Sequence, residues 1–337
     1  MRKLILFFLL FLFFLDNVFA SIVVMDADSK RVIYSKKMNE KKLIASTSKI
    51  MTSIIALENS NLDKKIKVDK EIYKAYGSMT YIKEGEEFSL RDLLSGLMLQ
   101  SGNDAALTIA NGIMPYDKFI NEMNFKAYKL EMYNTVFENP HGLNDETKNI
   151  STAYDMALLM RYAIKNQDFI DITRQTKYKV GNYIWYNKNK LLTDYKYLIS
   201  GKIGYTKKSG QVYVSAAKKD GKTLIITSID EPDKFNLHKK LYEKYFNIYE
   251  RYKILDKNTF SFKVNNKNNN HYYIKNDFYM LLSKEEIDDL KIKINLNEKK
   301  NNVEVYLKDK LIHTEQLYII KYESALKKVK RMLLFWK

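Results

Sequence analysis

Ser46 and Lys49 have the residue types and the spacing to form a nucleophile and its base. In a helix, residues three apart lie one above the other, so the Lys49 amine can reach the Ser46 hydroxyl. A serine attacks well only when a base removes its proton, and a lysine is that base only when neutral. Burial, a second cation and the positive end of a helix dipole all favour the neutral amine. Backbone N–H groups at the same helix start could also stabilise an oxyanion.

This spacing alone is weak evidence, because lysine is abundant in the chain. Ser324 and Lys327 repeat it near the C-terminus. Two further segments carry polar groups that could take part in the same chemistry. They are Ser101-Gly102-Asn103 and Lys202-Ile203-Gly204. A Ser-Gly-Asn loop between two helices commonly serves only to cap the second helix. The elements that position these residues must therefore be considered with them.

Helical patterns surround the first two segments. Residues 44–58 predict a buried helix that is apolar on nearly every side, except along one narrow seam of polar or small residues. That seam contains Ser46, Lys49, Ser53 and Ala56. A second helix is predicted after Ser89, with Asp92 completing a capping box, and it should stop at Gln100. A third should begin with Asn103 or Asp104 at its cap.

Strand patterns predict an antiparallel sheet. Ile22–Met25 and Arg31–Tyr34 indicate one hairpin. Val212–Ala217 and Thr223–Ile229 indicate another, joined through Asp220-Gly221, which is typical of a type I′ turn. Together with the Lys202 segment they predict about five strands. A helix with apolar positions Leu237, Leu241, Tyr245 and Ile248 should cover one face.

Composition favours an exported globular protein. Arg2 and Lys3, an apolar run from Leu4 to Leu15 and the small residue Ala20 predict a signal peptide over residues 1–20. Removing it changes the net charge from +17 to +16, since two cations and one anion are lost. Such a charge favours anionic lipid headgroups or wall polymers, whereas nothing clusters arginine and aromatic residues as a nucleic-acid site would. There is no cysteine, so disulfides are excluded.

Three motifs stand in the order S-x-x-K, S-x-N and K-x-G, and this set resembles the active-site triplet of penicillin-binding proteins and serine β-lactamases. Residues 22 to about 248 are similar to the low-molecular-mass D-alanyl-D-alanine carboxypeptidases. The segments that carry the resemblance are Ala45–Thr52, Leu99–Ala106, Asn139–Leu143 and Gly204–Thr206. The resemblance implies an α+β transpeptidase fold, with an antiparallel sheet of about five strands and a helical cluster.

The resemblance also implies a role for each residue. Ser46 would attack the penultimate D-alanine carbonyl of a peptidoglycan stem peptide, with Lys49 as general base. Ser101 would relay a proton to the leaving amine, and Asn103 would hold Lys49 and a substrate amide. Lys202, on an edge strand, would bind the terminal carboxylate and help keep Lys49 neutral.

Further binding groups follow from the same resemblance. The N–H groups of Ser46 and Tyr205 would form the oxyanion hole, and Gly204 and Thr206 would line the substrate site. A β-lactam mimics the same acyl donor, so β-lactam antibiotics are expected to acylate the enzyme. Neither a metal nor a cofactor is expected, because the four histidines are scattered without ligand spacing.

One position departs from the family pattern, which has threonine in the middle of K-T-G where this chain has Ile203. Isoleucine keeps the β-branched shape but lacks the hydroxyl that helps to hold the substrate carboxylate in the family. A degenerate member that binds wall peptides with little or no turnover is therefore an alternative. A class A β-lactamase is a weaker one, because the Asn139–Leu143 turn stands where a carboxylate-bearing loop would be required. His141 is interpreted as a structural residue of that turn.

Beyond residue 250 the pattern changes to a small β-rich domain. Residues 291–296, 303–307 and 311–312 predict its strands, and the resemblance to the family is less specific there. The tail from Tyr322 to Lys337 predicts an amphipathic helix that lies on an anionic membrane, with packing on its own domain as the alternative. The predicted domains are residues 1–20 (signal peptide), 21–250 (catalytic), 251–320 (β-rich) and 321–337 (membrane-associating helix).

Overall fold

The computed structural model describes residues 19–143, 145–146, 148–264, 270–297 and 301–320. The chain forms two compact units, one ending at Phe246 and the other beginning at Asn247. The predicted signal peptide, apart from its last two residues, and the predicted C-terminal helix lie outside the described residues, and the predicted domain boundaries stay predictions. Within the described part, no helix combines the length and the apolar character needed to span a membrane.

The first unit combines helices with several small sheets and one larger sheet. Its strands are β1 Ser21–Asp26, β2 Val32–Lys36, β3 Lys42–Leu43, β4 Lys65–Lys67, β5 Glu87–Ser89, β6 Ile150–Ser151, β7 Lys177–Val180, β8 Tyr183–Tyr186, β9 Leu198–Thr206, β10 Gly210–Lys219 and β11 Lys222–Ile229. Its helices are α1 Lys49–Asn59, α2 Leu90–Ser95, α3 Asn103–Ile113, α4 Tyr116–Lys129, α5 Ala153–Ala163, α6 Gln167–Thr173, α7 Leu191–Asp194 and α8 Lys234–Ile248, whose last two residues belong to the second unit.

The larger sheet has five antiparallel strands in the order β2-β1-β11-β10-β9, which confirms the predicted strand number. Asp220 and Gly221 join β10 to β11 with φ values of 50° and 75°. Two successive positive φ angles define a type I′ turn, whose twist matches that of the strands it joins. Strand β9, which carries Lys202, lies at the sheet edge.

Helix α1 lies in the core, with Ile50, Met51, Ile54 and Ile55 all buried. The structure differs from the predicted single helix, because Ala45–Ser48 form a separate 3₁₀ turn before α1. Ala45 has a φ of 46°, which a regular helix does not allow. Ser46 therefore lies in the 3₁₀ turn, directly after a residue with a positive φ.

The predicted capping box of α2 is confirmed. The Asp92 N–H donates to the Ser89 hydroxyl at 3.1 Å, and the Ser89 N–H donates to the Asp92 carboxylate at 2.8 Å. The chain continues as a π-helical turn from Gly96 to Gln100. The residue that caps this turn, Ser101, has the left-handed conformation with a φ of 65°. This termination turns Ser101 out of the helical path.

The predicted cap of the next helix is wrong, since Gly102 is the N-cap and Asn103 is the first residue of α3. The Asp104 carboxylate accepts hydrogen bonds from the backbone N–H groups of Thr80 and Tyr81, at 2.7 to 3.0 Å. Asp104 therefore attaches the preceding loop to α3 instead of capping the helix.

Helix α8 buries only part of the predicted face, because Tyr245 is buried whereas Ile248 is exposed. Leu237 and Leu241 are only half-buried, whereas His238 and Tyr242 are fully buried. The two ring nitrogens of His238 form hydrogen bonds with the hydroxyls of Ser215 and Ser228, at 2.7 and 2.9 Å. The ring also stacks on an aromatic ring of the sheet. Polar side chains can replace leucines in a core when their hydrogen bonds are satisfied.

The second unit is rich in β-strands, as predicted. Its strands are β12 Glu250–Leu255, β13 Ser261–Lys263, β14 His271–Tyr273, β15 Phe278–Leu282, β16 Leu290–Leu296, β17 Asn301–Leu307, β18 Lys310–Gln316 and β19 Tyr318–Ile320. They form the sheets β12-β15, β13-β14-β19 and β16-β17-β18. Alternate residues of β17, Val303, Val305 and Leu307, face its hydrophobic core.

Candidate active site

The Lys49 amine occupies the centre of the site. Its Nζ lies 3.0 Å from Ser46 Oγ, 2.7 Å from Asn103 Oδ1 and 2.6 Å from the His141 carbonyl oxygen. The side chain is 0% exposed to solvent. The predicted nucleophile and base are thus in direct contact, and Asn103, 54 positions along the chain from Lys49, is brought to the same amine.

The surroundings of Lys49 favour its neutral form. Burial, followed by the nearby Lys202 cation, lowers the pKa of Lys49 well below its usual value, while Asp104 acts in the opposite direction. A neutral amine has two N–H donors and one lone pair. Because Asn103 Oδ1 and the His141 carbonyl can only accept, they hold the two N–H groups. The lone pair is then directed at Ser46.

Lys202 and Ser101 form a second pair in the same cleft. Lys202 Nζ donates to Ser101 Oγ at 2.9 Å and to the Ile203 carbonyl at 3.1 Å. Burial, with a smaller contribution from the Lys188 cation, lowers the pKa of Lys202 to about 7. A hydroxyl that accepts one hydrogen bond can still donate its own, so Ser101 can pass a proton onward.

Asn103 is held through both its side chain and its backbone. Its Nδ2 donates to the Tyr76 carbonyl at 2.5 Å, and its backbone N–H donates to the Ser78 carbonyl at 2.8 Å. Gly77 lies between these two residues and has a φ of 79°. The loop before α2 therefore fixes the side chain that orients Lys49.

The remaining predicted residues lie along the edge strand. A Cβ on Gly204 would fall 3.0 Å from the Ser46 nitrogen, so β9 passes close to the nucleophile's backbone. Tyr205 is exposed. The Thr206 hydroxyl pairs with the Ser209 hydroxyl at 2.9 Å, in the turn between β9 and β10. Lys202 and Gly204 thus adjoin the other site residues, whereas the Thr206 hydroxyl is engaged in the turn.

Comparison with known proteins agrees with this geometry. The family model described as D-alanyl-D-alanine carboxypeptidase matches residues 17–233, which is more than half of the chain. The chain belongs to this carboxypeptidase family. It is a serine-type D-Ala-D-Ala carboxypeptidase, a hydrolase of the penicillin-binding protein class.

Relatives of the carboxypeptidase occur in several bacteria. The carboxypeptidase DacB2 of Mycobacterium tuberculosis is 32% identical over 209 residues, covering 60% of this chain and 72% of the relative. DacF of Bacillus subtilis is 28% identical over 297 residues, covering 82% of this chain and 76% of the relative.

Solved structures show the same fold. A D-alanyl-D-alanine carboxypeptidase from M. tuberculosis H37Rv is 30% identical, with a TM-score of 0.65 over 68% of this chain and 90% of that one. Penicillin binding protein 5 from Haemophilus influenzae is 23% identical, with a TM-score of 0.77 over 89% of this chain and 96% of that one. The predicted transpeptidase fold is confirmed.

The carboxypeptidase site also uses backbone groups that sequence reasoning missed. The carbonyl oxygens of His141 and Tyr76 anchor Lys49 and Asn103. The His141 ring itself accepts from the Leu143 N–H at 3.1 Å, as a structural turn residue would. Burial and the neighbouring Lys49 lower the pKa of this ring to about 3, so it stays neutral. In the sequence, only the resemblance of the segment Asn139–Leu143 to the family indicated that this turn belongs to the site.

The turn from Asn139 to Leu143 packs directly against the nucleophile's segment. A Cβ on Gly142 would fall 1.9 Å from the Ala45 carbonyl oxygen and 2.9 Å from the Ser46 nitrogen. Gly142 also has a φ of 92°, a conformation that residues with a side chain disfavour. Glycine is therefore required here for two independent reasons.

We expect Gly142→Ala to reduce the rate of D-alanine release by more than about tenfold, because the added methyl must displace Ser46 or the turn. Gly85→Ala is the matched control. Gly85 has a similar φ of 88°, but a Cβ there would meet no atom within 4 Å. It should carry the backbone strain without the clash. Equal loss of activity in the two variants, assayed at equal folded concentration, would contradict this interpretation.

Proposed function

We propose that the protein removes the terminal D-alanine from peptidoglycan stem peptides through an acyl-enzyme on Ser46. The observation that carries this proposal is the buried Lys49 amine, in contact with Ser46 Oγ at 3.0 Å and Asn103 Oδ1 at 2.7 Å. A second buried amine, Lys202, stands nearby to receive a carboxylate. A nucleophile beside a neutral base, with a cation near enough to bind a terminal carboxylate, supports acyl transfer from a D-Ala-D-Ala terminus.

Acylation begins with proton transfer. The Ser46 O–H bond breaks as its proton moves to the lone pair of Lys49, and the oxygen bonds to the carbonyl carbon of the penultimate D-alanine. The carbonyl electrons move to its oxygen, held by the N–H groups of Ser46 and Tyr205. The C–N bond then breaks, and the leaving amine receives the proton from Lys49 through Ser101.

Lys202 supplies the recognition of the leaving D-alanine. The terminal carboxylate pairs with the ammonium of Lys202, and this pairing raises the local pKa of a lysine that burial otherwise holds at about 7. Asn103, fixed by Tyr76, holds an amide of the acyl portion. Water then attacks the acyl-enzyme, and Ser46 recovers its proton. A β-lactam amide enters by the same route and leaves Ser46 acylated.

The direct test is D-alanine release from a D-Ala-D-Ala pentapeptide by protein lacking residues 1–20, together with labelling by a fluorescent penicillin. We expect release and stoichiometric labelling, both abolished by Ser46→Ala. Ser324→Ala, at the second S-x-x-K copy, is the control and should behave like the parent.

The same assay distinguishes the alternative functions. A degenerate member that only binds wall peptides, suggested by Ile203, would show neither release nor covalent label. A β-lactamase would hydrolyse the penicillin rapidly without releasing D-alanine. Label that persists in Ser46→Ala would disprove the proposed nucleophile.

Ile203 should limit the rate. A hydroxyl at this position can bond a bound carboxylate, and a hydrogen bond to a charged group contributes on the order of 1.5 to 3 kcal/mol. Ile203→Thr should therefore raise kcat/KM for D-alanine release, or the β-lactam acylation rate, by about one to two decades if the bond forms in the transition state.

Ile203→Val is the control, because it shortens the side chain and keeps the β-branch without adding a hydroxyl. It should leave the rate close to that of the parent. No change, or a loss, in Ile203→Thr would show that the site compensates for the missing hydroxyl or does not use it.

We also propose that the protein is exported and works at the outer face of the membrane. The apolar run at residues 4–15, the charge of +17 and the cationic amphipathic pattern of residues 322–336 support this. Deleting residues 322–337 should move the protein from the membrane fraction to the soluble fraction. Continued membrane association of the truncated protein would favour packing of the tail on its own domain.

A further inference from the structure

Two side chains of α1 hold two successive carbonyl groups of the Asn139–Leu143 turn. Thr52 Oγ1 donates to the Pro140 carbonyl at 2.6 Å, and Lys49 Nζ donates to the His141 carbonyl at 2.6 Å. The two residues are three apart in the helix and therefore share a face. Both side chains are fully buried. The catalytic mechanism described above uses Lys49 but gives Thr52 no part.

The turn has an internal frame of its own. Asn139 Oδ1 accepts from the N–H groups of His141 and Gly142, at 3.2 and 2.6 Å. Asn149 Nδ2 donates to the Asn139 carbonyl at 2.9 Å. These bonds set the shape of the turn, but all of them lie within residues 139–149. They do not by themselves fix where the turn sits along α1.

The Thr52 hydroxyl supplies a link between that frame and α1. Pro140 and His141 are consecutive, so their carbonyl directions are coupled through two rigid peptide planes and one intervening pair of dihedrals. Holding the first carbonyl at 2.6 Å therefore restricts the second. A rotation of the turn would lengthen or misalign the bond to Lys49 and so weaken it.

We propose that Thr52 is a positioning residue that, by binding the Pro140 carbonyl, aims the His141 carbonyl at Lys49 and so keeps the lone pair of Lys49 directed at Ser46. This inference rests on the proposed function, because it takes Lys49 as the base that acts on Ser46. It assigns a purpose to the Asn139–Leu143 turn, which carries no reacting side chain. Thr52 itself does not contact the reacting atoms.

Losing the bond from Lys49 to the His141 carbonyl should shift the pH–rate profile in a predictable direction. A carbonyl that accepts from Lys49 stabilises the ammonium more than the amine, so its removal lowers the Lys49 pKa further. Acylation needs the neutral amine, so the acidic limb of the pH–rate profile of acylation should move to lower pH. The maximal rate should fall at the same time, because the lone pair is less well oriented.

Other titratable groups also face Lys49, and the test must leave them unchanged. They are Lys202 on β9, Asp104 on α3, Lys188 before α7 and the neutral His141 ring in the turn. Thr52→Val alters none of these charges and nearly conserves the side-chain volume. Thr52→Ser retains the hydroxyl and should restore the parent behaviour.

The experiment measures the second-order rate of acylation by a fluorescent penicillin as a function of pH. Rates are normalised to the fraction of protein labelled at completion. For Thr52→Val we expect a maximal rate lowered by about three- to tenfold and an acidic limb displaced to lower pH. Ser53→Ala is the matched control, because its buried hydroxyl donates to the Lys49 carbonyl within α1 and not to the turn.

A Thr52→Val limb that coincides with that of the parent, or an equal displacement in Ser53→Ala, would overturn the inference. A uniform loss of rate at every pH would likewise indicate a general structural effect. Failure of the proposed function is distinguishable, because the parent protein would then show no label at Ser46.

Discussion

The structure depends on keeping one buried amine both uncharged and correctly oriented. Lys49 is removed from water, and Lys202 is buried nearby, so the cost of a second positive charge in the same cleft is high. Lowering the pKa alone would leave a freely rotating base. Two fixed acceptors, Asn103 Oδ1 and the His141 carbonyl, restrict that rotation.

The balance of charges near Lys49 shows which effect prevails. Asp104 is a buried carboxylate and by itself would stabilise the ammonium. Its oxygens are already engaged by the N–H groups of Thr80, Tyr81 and Ala105. Burial of Lys49 and the Lys202 cation outweigh Asp104. The same carboxylate also ties the loop that holds Asn103, so it serves the site mechanically.

The sequence predicted the elements whose signals are local. The type I′ turn at Asp220-Gly221 and the capping box at Ser89 are each specified within a few residues, and both are confirmed. The three motifs identified the side chains that meet in the cleft, although their catalytic roles stay predictions. Their meeting could be inferred only because the whole set resembled a family.

Other features of the site have no residue-type signature. Every residue carries a carbonyl, so nothing in the sequence marked those of His141 and Tyr76 as anchors for Lys49 and Asn103. The positive φ angles of Ala45 and Ser101 arise from packing, since neither residue type favours them. The buried face of α8 is predicted only in part for a related reason, because His238 enters the core through hydroxyl partners on β10 and β11.

The contacts around Lys49 also determine when the serine becomes reactive. Its amine is surrounded by groups contributed from positions 46, 103 and 141, with Lys202 nearby on the last strand of the sheet. In an incompletely folded chain that lysine is hydrated and protonated, and Ser46 is then an ordinary alcohol. The polypeptide is thus chemically silent until it folds, because its reactivity depends on contacts between residues that are far apart in the sequence.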